Sequence, residues 1–233
     1  MRENELYFRQ VPQFVIFDLD GTIVDSSADI RSDLRVALDE NRIQVPESFE
    51  DIKIGAPMPL ILKELLPELE SSVLNKVLKD FRRIHDSSDM SKSHLYSGVS
   101  KLIERLRAAN VELYIATNKS RAGAINSLTR FLLIDRFKYL SCFGDDGIFN
   151  KNDSVSYLVK RFMGATKNGW MIGDAVGDIQ AGNANRLFTI AHLGGYGDHS
   201  ELQLAKPNIL IDNYEQLLIE FESIGFSNIK NKQ

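Results

Sequence analysis

Phe14-Val15-Ile16-Phe17-Asp18-Leu19-Asp20-Gly21-Thr22 begins as four apolar residues and ends in two acids, a glycine and a hydroxyl. A short continuous apolar run suits a strand buried on both faces, as in a parallel sheet. In an open parallel sheet, ligands bind beyond the carboxyl ends of the strands. Asp18 and Asp20 stand at such an end. A carboxylate placed there can attack phosphorus and form an acyl phosphate. A second carboxylate beside it can protonate the leaving alcohol and then activate water. Gly21 supplies the tight turn between them and the following chain. Asp-Gly alone is a common turn, but the full run after an apolar strand is far more specific.

Working outward, residues 27–41 carry Ile30, Leu34, Ala37 and Leu38 at helical spacing. Pro46, Pro57, Pro59 and Pro67 divide the region 42–67 into short pieces. Helices are expected over 60–66 and 73–84, and no strand is expected between 25 and 94. After Tyr96-Ser97-Gly98-Val99 the pattern alternates. Helices are expected over 101–109, 121–131, 154–163 and 179–184, with a last one from about 214. Strands are expected over 111–116, 139–143, 170–172, 188–191 and 208–211. Alternating strands and helices imply an α/β fold: a doubly wound parallel sheet, a Rossmann-like core. The all-helical stretch 25–94 interrupts that alternation. It reads as a small inserted domain, leaving 1–24 and 95–233 as the core.

The chain has 233 residues, 28 basic and 32 acidic side chains and a net charge of -4. That field recruits neither nucleic acid nor an acidic membrane surface. No apolar stretch is long enough to span a bilayer, and residues 1–10 lack a signal-peptide core. Leu6-Tyr7-Phe8 can begin an edge strand. Cys142 is the only cysteine, so the chain fits a reducing compartment, and a cytoplasmic location is expected.

Asp18-Leu19-Asp20-Gly21-Thr22 matches the Asp-x-Asp-Gly-Thr motif of the haloacid dehalogenase-like hydrolase superfamily, which the sequence resembles from about residue 13 to 215. The resemblance implies Asp18 as nucleophile, Asp20 as general acid/base, and three further motifs in order. Thr117, after an apolar run and followed by Asn118, fits the phosphate-binding hydroxyl, although Thr117 or Ser120 can also cap a helix. Lys151 fits the lysine that offsets negative charge, with Lys160 and Lys167 as competitors. Gly173-Asp174-Ala175-Val176-Gly177-Asp178 fits the acidic pair. The implied cofactor is Mg2+, which prefers oxygen ligands. Its implied ligands are Asp18, Asp174 and the Asp20 backbone carbonyl, with Asp178 as a further ligand or as a residue orienting one. Asp178 can alternatively cap a helix.

The stretch 25–94 resembles the family's helical cap, and Ile54-Gly55-Ala56-Pro57-Met58-Pro59-Leu60 resembles that of phosphoglycolate phosphatase-like members. Arg31, Arg35, Lys53 and His85 are candidate substrate contacts, although a solvated face is the more ordinary reading of each. The expected activity is magnesium-dependent hydrolysis of small phosphate monoesters by a monomer or weak homodimer. Phosphosugar mutase activity uses the same motifs. Dehalogenation is disfavoured because a halide needs no acid such as Asp20, and a non-catalytic binding role is disfavoured by the complete set of motifs.

Overall fold

A computed structural model describes residues 11–145, 147–164 and 168–223. The expected Leu6-Tyr7-Phe8 strand lies outside these residues, as does Lys167. Strand β1 (Phe14–Phe17) is buried at all four positions. It is flanked by two parallel neighbours, β4 (Glu112–Thr117) and β6 (Gly169–Gly173). Beyond β4 lies β5 (Tyr139–Cys142); beyond β6 lie β7 (Phe188–His192) and β8 (Ile209–Ile211). The sheet order is β5-β4-β1-β6-β7-β8, and every pairing is parallel. The chain therefore winds first to one side of β1 and then to the other, which opens a crevice at the carboxyl end of β1.

Side chains alternate across a strand, and β1 uses that alternation to join two cores. Val15 and Phe17 pack with the apolar faces of α4 (Val99–Ala108), α5 (Arg121–Arg130) and α9 (Tyr214–Ser223). Phe14 and Ile16 pack on the other side with α6 (Lys151–Leu158) and α7 (Val176–Ala184). Helices thus cover both faces, which is why the strands read as unbroken apolar runs. Helix α6 starts at Lys151, three residues before its expected start, and continues as a π-helical turn over Val159–Met163.

Three helices between residues 25 and 94 form a separate apolar cluster. They are α1 (Ser27–Glu40), α2 (Met58–Leu65) and α3 (Ser71–Asp86). Leu34, Leu38, Phe49, Leu62, Val77 and Phe81 are buried among one another, with Tyr196 of the sheet's loops packed alongside. The expectation of no strand between 25 and 94 needs correction. Strands β2 (Val24–Asp25) and β3 (His94–Leu95) pair antiparallel where the chain enters and leaves this helical unit. Two residues per strand are too few to show any periodicity. A short helix, α8 (His199–Leu204), was also not expected; Asp198 caps it by accepting from the Ser200 and Glu201 N–H groups. No helix among the described residues is long and apolar enough to cross a membrane.

Helix α7 lies unusually close to the sheet at Gly182. A Cβ there would stand 2.4 Å from Thr189 Cγ2 and 2.9 Å from Met171 Cβ. Gly182→Ala should therefore destabilise the protein by about 1–3 kcal/mol in urea denaturation, because overpacking outweighs the better helix propensity of alanine.

Candidate active site

Asp18 is the first residue beyond β1, and its N–H still donates to Ile172 O of β6 at 2.9 Å. Its carboxylate is therefore held at the mouth of the crevice rather than on a mobile loop. Lys151 sits at the first position of α6, with Asn150 capping that helix by accepting from the Asp153 N–H. The Lys151 ammonium lies 2.6 Å from Asp18 Oδ1 and 2.8 Å from Asp178 Oδ1, and donates to Ala116 O at 2.9 Å. Asp178 stands in the first turn of α7, where its other oxygen accepts from the Ala175 N–H at 3.0 Å. It thus caps the helix and also faces the lysine. Its Oδ1 accepts no well-aligned hydrogen bond, although it is buried.

Asp174 follows β6 and is 1% exposed. It accepts from the Thr22 hydroxyl at 2.7 Å and from the Tyr196 N–H at 2.8 Å. The backbone packs closely around it: a Cβ on Gly21, whose φ is +83°, would fall 2.1 Å from Asp174 Oδ2. Glycine is required there both for that φ and for the approach. Carboxylate oxygens of Asp18, Asp174 and Asp178 lie within 4.8 Å of one another.

The electrostatics follow from this crowding. Burial pushes the Asp18 carboxyl well above its ordinary range; Lys151 opposes that shift, and Asp178 and Asp174 add to it. Burial, then Asp178, push Asp174 up to about 7. Lys151 is held above its usual range because Asp178 and Asp18 outweigh the cost of its burial. Three carboxylates thus share one ammonium. The group can hold a divalent cation, which would offset the remaining negative charge.

Asp20 is set apart from that cluster. Its side chain accepts from Ser26 Oγ at 2.6 Å and from Lys119 Nζ at 3.1 and 3.3 Å. Burial alone would raise its pKa, but Lys119 and Ser26 outweigh it and hold Asp20 below the ordinary carboxylate range. Thr117 ends β4 and is buried; its hydroxyl accepts from the Lys119 N–H at 3.1 Å. The helix cap is Ser120, which accepts from the Gly123 N–H. The Asn118 amide donates to Gly55 O at 3.2 Å, so its side chain bridges to the helical unit.

A small cavity of about 70 Å³ adjoins these groups, bounded by Asp18, Asp20, Thr117 and Lys119 on one side and by Ile54, Met58, Phe81 and His85 on the other. Of the four candidate contacts from the helical unit, only His85 reaches it. Arg31 donates to the carbonyls of Phe49, Glu50 and Ile52. Arg35 pairs with Glu50 and lies over the Phe49 ring. Lys53 pairs with Glu201 at 3.6 Å. Arg31 thus ties its helix to the segment 49–52, whereas Arg35 and Lys53 are exposed side chains in surface ion pairs. Lys160 is exposed. Sequence reasoning passed over Lys119, which is 8% exposed and touches Asp20. Its position directly after Thr117-Asn118 was the available signal.

Lys151→Met leaves buried carboxylates unpaired. It should cost about 3–5 kcal/mol of stability at pH 8. The loss should be smaller at pH 5, where protons taken up by Asp18 and Asp174 relieve the repulsion. Denaturation of the metal-free protein at both pH values checks the magnitude and the sign.

The profile of the haloacid dehalogenase-like hydrolase family matches residues 15–192, a span that includes Asp18, Asp20, Thr117, Lys119, Lys151, Asp174 and Asp178. The chain is 28% identical over 217 residues to a phosphoglycolate phosphatase of Photobacterium profundum, covering 88% of this chain and 94% of that one. It is 30% identical over 188 residues to the tyrosine-protein kinase PtkA of Mycobacterium tuberculosis, covering 80% of this chain and 64% of that one. A solved structure of a haloacid dehalogenase-like family hydrolase from Streptococcus pneumoniae superposes with a TM-score of 0.79 at 20% identity, over 91% of this chain and 99% of that chain. That likeness speaks for the fold. With the matched profile spanning most of its length, the chain belongs to the haloacid dehalogenase-like hydrolase family.

Proposed function

We propose that the chain is a magnesium-dependent phosphatase that hydrolyses small phosphate monoesters through an aspartyl-phosphate on Asp18. The observation that carries this reading is the gathering of Asp18, Lys151, Asp174 and Asp178 at one crevice, with Asp20 two residues from Asp18. Asp18 attacks phosphorus, a new P–O bond forms to its carboxylate, and the ester P–O bond breaks. Asp20 gives a proton to the departing alkoxide, then takes one from the water that attacks the aspartyl-phosphate. Breaking the acyl-phosphate P–O bond frees inorganic phosphate and restores Asp18. The Lys119 contact favours ionised Asp20, the form that takes a proton from water. Because Lys119 reaches both Asp20 oxygens, one of them can keep accepting from it in the first half-reaction, when the other carries the proton.

Lys151 offsets charge on the nucleophile and on the transferring group, while Thr117 and the N–H groups of the following loop hold phosphate oxygens. A bound magnesium ion, held by Asp18, Asp174 and the Asp20 backbone carbonyl, would supply the charge that lets an anionic carboxylate approach an anionic phosphate. Asp178 fits best as the residue that orients Lys151 at the edge of that set. The small cavity and its apolar wall of Ile54, Met58 and Phe81 suit a short leaving alcohol, in line with the relatives that are phosphoglycolate phosphatases. We read the helical unit over residues 25–94 as a cap that closes the site and selects the substrate. We expect the enzyme to work in the cytoplasm as a monomer or weak homodimer on small phosphorylated metabolites.

The likeness to a tyrosine-protein kinase supports a second reading, phosphoryl transfer to an acceptor other than water. Release of inorganic phosphate at the rate of ester loss decides for hydrolysis. The native protein should hydrolyse an aryl phosphate with magnesium and lose that activity on chelation. Asp18→Asn should lower kcat by about three orders of magnitude or more, and Asp20→Asn by about 10²–10⁴ on an alkyl ester. Turnover undiminished in Asp18→Asn, or unaffected by chelation, would contradict the proposal.

A further inference from the structure

We infer that Asp33, His85 and Lys119 are positioning residues that set the Asp20 carboxylate, so that the helical unit completes the acid/base half of the site. The inference rests on the phosphatase reading above and goes beyond it by giving three residues outside the family motifs a part in the reaction.

Lys119 is a buried lysine, and such an ammonium must find acceptors for its N–H groups. It has the two oxygens of Asp20 at 3.1 and 3.3 Å, and His85 Nε2 at 2.6 Å. His85 is 4% exposed, and its Nδ1 lies 2.7 Å from Asp33 Oδ2. One assignment gives every contact a donor and an acceptor. His85 donates from Nδ1 to Asp33 and accepts at Nε2 from Lys119, which donates onward to Asp20. The ring also stacks on Phe81 at 5.2 Å with an interplanar angle of 11°, which supports this orientation.

The chain of contacts runs between parts of the fold that are distant in sequence. Asp33 is on α1, His85 is on α3, Lys119 follows β4, and Asp20 follows β1. Its neighbours run the same way: the Asn118 amide donates to Gly55 O, and Ser120 Oγ donates to Asp86 Oδ1 at 2.6 Å. Three consecutive residues after β4 therefore each grip the helical unit. Without Lys119, the Asp20 side chain keeps, among the described residues, only Ser26 Oγ as a hydrogen-bond donor. The sheet alone places Asp18. Asp20 is aimed from the helical unit through a lysine that His85 holds at 2.6 Å.

The test uses leaving-group dependence, which a merely structural role does not move. A nitrophenolate departs with little need of a proton, whereas a simple alkoxide depends on its acid. His85→Ala, Asp33→Asn and Lys119→Met should lower kcat for propyl phosphate about tenfold or more beyond any loss on nitrophenyl phosphate, with KM little changed. His85→Gln, which keeps an acceptor for Lys119, should recover part of the loss. In an Asp20→Asn background, His85→Ala should add little. Melting temperatures identify any variant that fails to fold, and Asp33→Asn, nearly isosteric, keeps the test available if Lys119→Met does not fold. Equal losses on both esters, or a full further loss in the Asp20→Asn background, would overturn the inference. So would a defect confined to KM for esters with a second anionic group, which would make Lys119 a substrate contact instead. If the native protein with magnesium hydrolyses neither ester, the phosphatase reading itself has failed.

Discussion

The ion pair between Lys151 and Asp18 is the interaction on which the site depends. A parallel sheet delivers its strand ends to one edge, and here those ends bring Asp18, Asp174 and Asp178 together out of water. Burying several like charges costs far more than any surface arrangement would. One ammonium, 2.6 Å from Asp18 and 2.8 Å from Asp178, stands against that cost. The compensation is incomplete, which is why Asp174 is pushed up to about 7 and Asp18 is raised as well. An enzyme that must hold a cation and receive a phosphate gains from this shortfall, because the site is most favourable when a divalent charge is added.

The same geometry separates two neighbouring carboxylates into two environments. Asp18 faces the crowded acidic cluster, while Asp20, two residues on, turns to Lys119 and Ser26. Their pKa values are pushed in opposite directions. Without a metal these directions are the reverse of what an ionised nucleophile and a protonated acid need, and a divalent cation beside Asp18 would lower its pKa. Close packing holds the division in place. Gly21 lets the turn after Asp20 lie against Asp174, where any side chain would collide.

Much of this was legible in the sequence, for a physical reason. Strands covered on both faces appear as short apolar runs, and residues directly after such runs must lie at the ligand-binding edge. Phe14-Val15-Ile16-Phe17 before Asp18 and Trp170-Met171-Ile172 before Gly173-Asp174 are of that kind. Beyond its place directly after Thr117-Asn118, Lys119 was not legible, because its meaning lies in contacts with His85, 34 positions earlier, and Asp20, 99 positions earlier. Arg31 and Arg35 stayed candidates for substrate contact, since a cation on a helix shows no sign of which carbonyls or carboxylates it will meet. The β2–β3 ribbon escaped because two residues carry no period. The general lesson concerns distance in sequence. Chemistry at strand ends is local and readable, whereas chemistry made by packing one unit on another is not.

The central claim is that Asp18 is covalently phosphorylated during turnover. Acid quenching during hydrolysis of a radiolabelled phosphate ester, followed by peptide mapping, tests it most directly. The account predicts label on the peptide that carries Asp18, chemically labile as an acyl phosphate, and no such label in Asp18→Asn. Full turnover with no label on that peptide, or label that survives the loss of Asp18, would contradict it.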